Sequence, residues 1–195
     1  DPTLRVVMMA TTMLVAIPTG IKIFNWLATL WGGALVFKTH TLWALGFLVT
    51  FTLGGISGMF FPVVGLDMHF HDTYFVVAHF HYVLIGGTVF GLFAGIYYWF
   101  PKAFGRKLDE RLGVIHFLIS FISYNAAFWP MHVVGTMGMP RRTHTYTVES
   151  GYAALNYSIS VASFIFGLSQ LILVWNIIYS SKKGGKIGED PWGGW

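Results

Sequence analysis

The chain has 195 residues, of which 55% are hydrophobic and only 10% charged, against about 25% charged in ordinary soluble domains, so lipid rather than water is the expected solvent. A formal charge of +4 comes without the polar basic face and interleaved aromatics that nucleic-acid binding needs, which excludes that partner class. The absence of cysteine excludes disulfides and thiolate ligands and leaves His, Met or oxygen to hold any metal.

Five apolar runs of about 20 residues or more, at 4–31, 41–62, 73–100, 113–135 and 152–180, predict an all-α, polytopic membrane bundle occupying 1–181. Turn chemistry separates them: Gly32-Gly33, Pro62 with Gly65, Pro101 with Gly105, and Gly138 with Pro140. The Gly/Lys-rich stretch 182–195 reads as a polar, mobile tail. The opening Asp1-Pro2 has neither an initiator Met nor a charged region before a short apolar run, so it predicts no signal peptide and a stretch taken from a longer chain.

In the first span, Lys22 sits about 25 Å from the outward end by helix rise. Snorkelling to the inner interface is one reading. Thr19, three residues earlier on the same face, allows a second, a hydroxyl and an ammonium aligned as a proton relay.

Alternating spans put the loops 32–40 and 101–112 and the tail on one side. That side carries Lys38, Lys102, Arg106, Lys107, Arg111, Lys182, Lys183 and Lys186, so it faces the cytoplasm or matrix by the positive-inside rule. The outward side gathers Asp67, His69, His71 and Asp72 before the third span and Arg141 and Arg142 before the fifth. His71 and Asp72 offer adjacent nitrogen and oxygen donors suited to Mn²⁺ or partly hydrated Mg²⁺. Asp72 as a helix N-cap is the competing reading. The two arginines suit carboxylates through their planar forks, or lipid headgroups at a charged rim.

His79 and His81 fall inside the third span, where ionisable residues are costly and are functional candidates by default. A neutral histidine bonded to a neighbouring helix is the structural alternative. At i and i+2 the two rings lie about 200° apart on a helix, which argues against one shared metal and for two separate cofactors. Imidazole is an axial ligand of haem iron. The spacing alone leaves two haems open. His40, His69, His116, His132 and His144 have no spacing that asks for a ligand role.

HDTYFVVAHFHYVL at 71–84 resembles the tenth transmembrane helix of haem-copper oxidase (cytochrome c oxidase) subunit 1, and AIPTGIKIFNWLATL at 16–30 resembles its eighth. GMPRR at 138–142 and DERLGVIHF at 109–117 extend the likeness through nearly the whole chain, as a C-terminal portion carrying five helices of the family's larger bundle. The resemblance implies that His79 is the proximal ligand of high-spin haem a3 and that His81 is one of two axial ligands of low-spin haem a. Phe80 lies between them, so a short electron route between the haems is a further expectation. By the same resemblance, His71 and Asp72 are Mg or Mn ligands completed by a carboxylate of subunit 2. Arg141 and Arg142, with Asp67, hold haem propionates, and Thr19 and Lys22 lie on a lysine proton-uptake path. Where the family often continues GMPRR with Tyr and a small polar residue, this chain has Thr143 and His144.

The implied activity is reduction of O₂ to water with proton pumping. The implied partners are the N-terminal part of subunit 1, subunits 2 and 3, cytochrome c as donor and the lipid of a bacterial plasma membrane or mitochondrial inner membrane. Copper falls to the N-terminal part, because the family's three copper histidines and its second low-spin ligand have no counterpart here, and no adjacent His-His pair occurs. The segment alone is therefore expected to be inactive. A quinol oxidase of the same superfamily is the nearer alternative, against which the His71-Asp72 pair counts. A polytopic proton-coupled transporter is the alternative from a different class, which a haem absorbance band would exclude.

Overall fold

The computed structural model describes residues 1–188 and 190–192, and the expected tail positions 189 and 193–195 lie outside the described residues. Among the described residues five helices are long and apolar enough to cross a membrane: Pro2–Leu30, Thr39–Gly58, Tyr74–Phe104, Glu110–Thr136 and Ala153–Lys183. Their number and order are those the hydropathy predicts. The cause is general, since a backbone in lipid has to satisfy its own N–H and C=O groups and a helix does so within one segment.

The first span is two pieces, α1 (Pro2–Leu14) and α2 (Ala16–Leu30), meeting at Val15. Pro18 has no proton to give the Leu14 carbonyl, and the next amide, of Thr19, reaches Val15 only at 3.5 Å. The Thr19 hydroxyl bonds that same carbonyl at 2.9 Å. None of this span's residues is buried. Next come α3 (Thr39–Gly58) and a short helix, α4 (Val64–Phe70). The third span is α5 (Tyr74–Val83), a wide π-helical turn (Leu84–Val89) and α6 (Phe90–Phe104). The fourth and fifth are α7 (Glu110–Thr136) and α8 (Ala153–Lys183).

Span ends shift for local reasons. The fourth starts three residues before the expected 113 because the Asp109 carboxylate caps it, accepting from the Leu112 amide at 2.9 Å. The third runs past Pro101, which sits in the last turn, and stops at Gly105 in the left-handed conformation at φ 67°.

α7 is the central helix, packed on α8, α5 and α3. Trp43, Tyr82, Phe90, Tyr124 and Val134 are fully buried around it. Small residues let the helices approach: a Cβ on Gly54 of α3 would stand 2.9 Å from Tyr82 Cβ of α5. Polar groups stitch the half of the bundle nearer the α6–α7 loop. His116 is fully buried between the Tyr97 hydroxyl and Gln170 Oε1, each at 3.2 Å, and Ser120 and Ser169 bond at 2.7 Å. His116 is thereby occupied in joining α6, α7 and α8.

Where the sequence predicts a mobile tail, Gly185, Ile187 and Trp192 make contacts with the end of α6 and the loop before α7. Lys107 N donates to Gly185 O at 3.0 Å, and Ile187 N to Gly105 O at 3.2 Å. Trp192 stacks on Tyr98 and bonds its carbonyl through Nε1 at 3.2 Å. Its indole supplies the apolar anchor that the stretch's Gly and Lys content conceals.

Candidate cofactor-binding site

Thr73 starts α5, its hydroxyl accepting from the Phe75 amide at 3.2 Å. From Tyr74, His79 and His81 lie roughly 8 and 10 Å down the helix. They leave it on different sides. His79 faces α3, where its Nδ1 is 2.9 Å from Gly54 O and 3.1 Å from Ser57 Oγ. Ser57 donates its own proton to Gly54 O at 2.8 Å, which leaves its oxygen free to accept from His79. Gly58 makes the room: a Cβ there would stand 2.6 Å from His79 Cε1.

His81 faces α7. Its Nδ1 is 2.7 Å from Val77 O in its own helix, and its ring stacks on Phe128 at 4.3 Å and 17° and on Phe80 at 4.6 Å.

A backbone carbonyl can only accept, so these partners fix the tautomer of both rings: Nδ1 carries the proton and Nε2 the lone pair. A histidine that ligates a metal normally donates its other N–H to such an acceptor. Both imidazoles therefore fit axial ligation of haem iron in an apolar setting. Beside His79 a cavity of about 510 Å³ opens between the first span and α3, lined among others by Thr12, Val15, Thr19 and Met59.

At the end of the bundle where α5 begins, α4 with the loop after it and the segment after α7 bring four of the predicted residues into one chain of contacts. His71 Nδ1 is 3.9 Å from Asp67 Oδ2, and His71 Nε2 is 3.4 Å from Asp72 Oδ2. Asp72 Oδ1 pairs with Arg141 Nη2. Backbone bonds hold the pair, Arg141 N to Asp72 O at 2.8 Å and Tyr74 N to Met139 O at 3.0 Å. The capping alternative for Asp72 is corrected here: Thr73 is the cap, and Asp72, at φ 57°, turns its carboxylate to Arg141. Arg141 keeps a buried Nε without a partner, the kind of orphaned donor that a bound carboxylate would satisfy. Arg142 is exposed and outside these contacts. Among the described residues no three His, Cys, Asp or Glu side chains are grouped to hold a metal, so a divalent ion on His71 and Asp72 needs donors from elsewhere.

Thr19 and Lys22 are not joined. The Thr19 hydroxyl is bonded to Val15 O, and Lys22 Nζ lies 5.4 Å from the Trp26 ring centroid. Thr19 lines the cavity beside His79; Lys22 does not.

Residues that motif spacing did not single out complete the site: Gly58 and Ser57 on the His79 side, Phe128 and Tyr124 on the His81 side. The π turn after α5 was also missed, although Gly86-Gly87 inside an apolar run is its visible trace.

Residues 1–165 match the family model described as "Cytochrome C and Quinol oxidase polypeptide I". Cytochrome c oxidase subunit 1 of Thermostichus vulcanus is 48% identical over 193 residues, covering 99% of this chain and 35% of that protein. The protein of the same name from Synechocystis is 49% identical, covering 97% and 34%, and that from Bacillus subtilis 46% identical, covering 98% and 31%. The chain thus spans about a third of the length of these relatives. A heme-copper terminal oxidase dimer solved by cryo-EM shares the fold, with a TM-score of 0.77 at 21% identity over 97% of this chain and 38% of that one.

Proposed function

The chain belongs to the cytochrome c and quinol oxidase polypeptide I family, and on that premise we propose that it is the C-terminal part of the catalytic subunit of a cytochrome c oxidase that reduces O₂ to water and pumps protons. The observation that carries the reading is the pair of intramembrane imidazoles on opposite sides of α5, each with Nδ1–H on a carbonyl and Nε2 left as a donor atom. His79 would hold the iron of high-spin haem a3 and His81 that of low-spin haem a. The haems, when bound, supply the electron-carrying iron and the oxygen-binding iron.

The protein groups do the orienting. Gly54, Ser57 and Gly58 hold His79, while Val77, Phe80 and Phe128 hold His81. Arg141 keeps donors beyond the one spent on Asp72, and with Arg142 and Asp67 it takes up the haem propionates. His71 and Asp72 contribute to a Mg or Mn site. Thr19 and Lys22 belong to proton uptake on the His79 side. The N-terminal part of subunit 1 brings the copper ligands, so this chain by itself does not reduce oxygen. Subunits 2 and 3 are its further partners, cytochrome c is the donor, and the membrane is a bacterial plasma membrane or the mitochondrial inner membrane. The intact His71-Asp72 pair favours cytochrome c over quinol.

The test is selective loss in the assembled oxidase. His79→Ala should remove the high-spin haem, read as the CO difference spectrum, and leave the low-spin band. His81→Ala should do the reverse. An unchanged spectrum in either variant would refute that ligand's assignment.

A further inference from the structure

We infer that Tyr124 and Phe128, one turn apart on α7, are positioning residues that set the orientation of His81 and so tune the low-spin haem alone, an inference that rests on the reading of His81 as its ligand. Tyr124 is fully buried, and a phenol hydroxyl in such a place needs an acceptor. The acceptor it finds is the backbone carbonyl of His81 itself, at 3.1 Å. The ring that carries this hydroxyl has little freedom, being wedged among Tyr82, Phe90, Phe128 and Phe166 with centroids 5.0 to 5.8 Å away.

Two features make this contact more than ordinary helix packing. Three residues beyond His81 the helix leaves α geometry for the π turn, a rare form that is frequent at functional sites. Gly86 within that turn lies against the same contact, since a Cβ there would be 3.2 Å from the Tyr124 hydroxyl and 2.6 Å from Thr50 Oγ1. Phe128 then fixes the plane of the His81 imidazole by stacking, so one face of α7 governs both the backbone and the ring of the same residue. The groups that hold His79 come from α3 and the turn after it, which confines the effect to one of the two histidines.

The plane of an axial imidazole controls its overlap with iron, and outer partners of a ligand tune the metal. The positive end of the Tyr124 hydroxyl points at the His81 carbonyl and favours the less charged, reduced iron. In the assembled full-length oxidase, Tyr124→Phe should keep the low-spin haem at full content, shift its EPR g values and lower its midpoint potential. The CO difference spectrum of the high-spin haem should not move. Phe128→Leu should shift the same g values, and it decides the matter if Tyr124→Phe fails to assemble. Unshifted g values and potential with haem retained would overturn the inference. A low-spin band that survives His81→Ala would instead overturn the ligand reading beneath it.

Discussion

The two sides of α5 hold two similar imidazoles by different means. On the His79 side the acceptors come from another helix, Gly54 O and Ser57 Oγ of α3, and the ring fits only because position 58 has no side chain. On the His81 side the acceptor is the helix's own Val77 carbonyl, and the neighbouring helix contributes a stacked ring and a hydroxyl. The orientation of His79 therefore depends on how α3 packs, whereas that of His81 is half built into α5. The difference teaches which substitutions should affect one cofactor without the other.

Gly58→Ala should separate the two sides most sharply. The new methyl would overlap His79 Cε1, and overpacking of this kind costs about 1–3 kcal/mol where the neighbour cannot give way. His79 cannot turn without leaving Gly54 O. We expect loss of most of the high-spin haem by CO difference spectroscopy, with the low-spin band near its normal intensity. Equal loss of both would mean that α3 packing governs the whole bundle and that the two sides are not independent.

Asp72 sits above both sides, so its replacement should not distinguish them. Asp72→Ala removes the partner of Arg141 and one of the two donors proposed for the outward ion. The bound Mn²⁺ signal should disappear from the EPR spectrum of the manganese-loaded oxidase while both haems stay. A persistent Mn²⁺ signal would leave Asp72 as an arginine partner alone.

Lys22 tests the His79 side again, kinetically. If it feeds protons to that side, Lys22→Met should slow turnover on the order of a hundredfold, the usual scale for loss of a proton-transfer group. Electron entry at the low-spin haem should keep its rate in stopped-flow reduction. Normal turnover would return Lys22 to its visible role over the Trp26 ring.

Much of this architecture is legible in the sequence, because lipid converts each long apolar run into a helix with few alternatives. The i, i+2 spacing of His79 and His81 likewise places them on opposite sides before any packing is known. What stays hidden depends on partners distant in sequence. The Gly54 carbonyl is 25 residues from His79 and Tyr124 is 43 from His81, and no local pattern announces either. Asp72 was ambiguous for a related reason: the residue after it could cap equally well, and only the approach of Arg141 frees the carboxylate from that task. The contacts of 185–192 are hidden in the same way, since the partners of Gly185, Ile187 and Trp192 lie in the stretch 98–107, far away in sequence.

Ser57→Ala should have the smallest effect, and its size follows from opposing contributions. The Ser57 oxygen is a second acceptor for His79 Nδ1, but its hydroxyl also occupies Gly54 O, the first acceptor. Removing it takes away one bond to His79 and strengthens the other. A single buried hydrogen bond contributes about 0.5–1.5 kcal/mol, and here part of it is returned. Both haems should remain, with a small shift in the iron–histidine stretch of the high-spin haem by resonance Raman. In that variant His79 has one carbonyl acceptor, as His81 has. A large loss of high-spin haem would show that the hydroxyl, rather than the carbonyl, is what orients His79, and the contrast between the two sides would then rest on Ser57 instead of on the approach of α3.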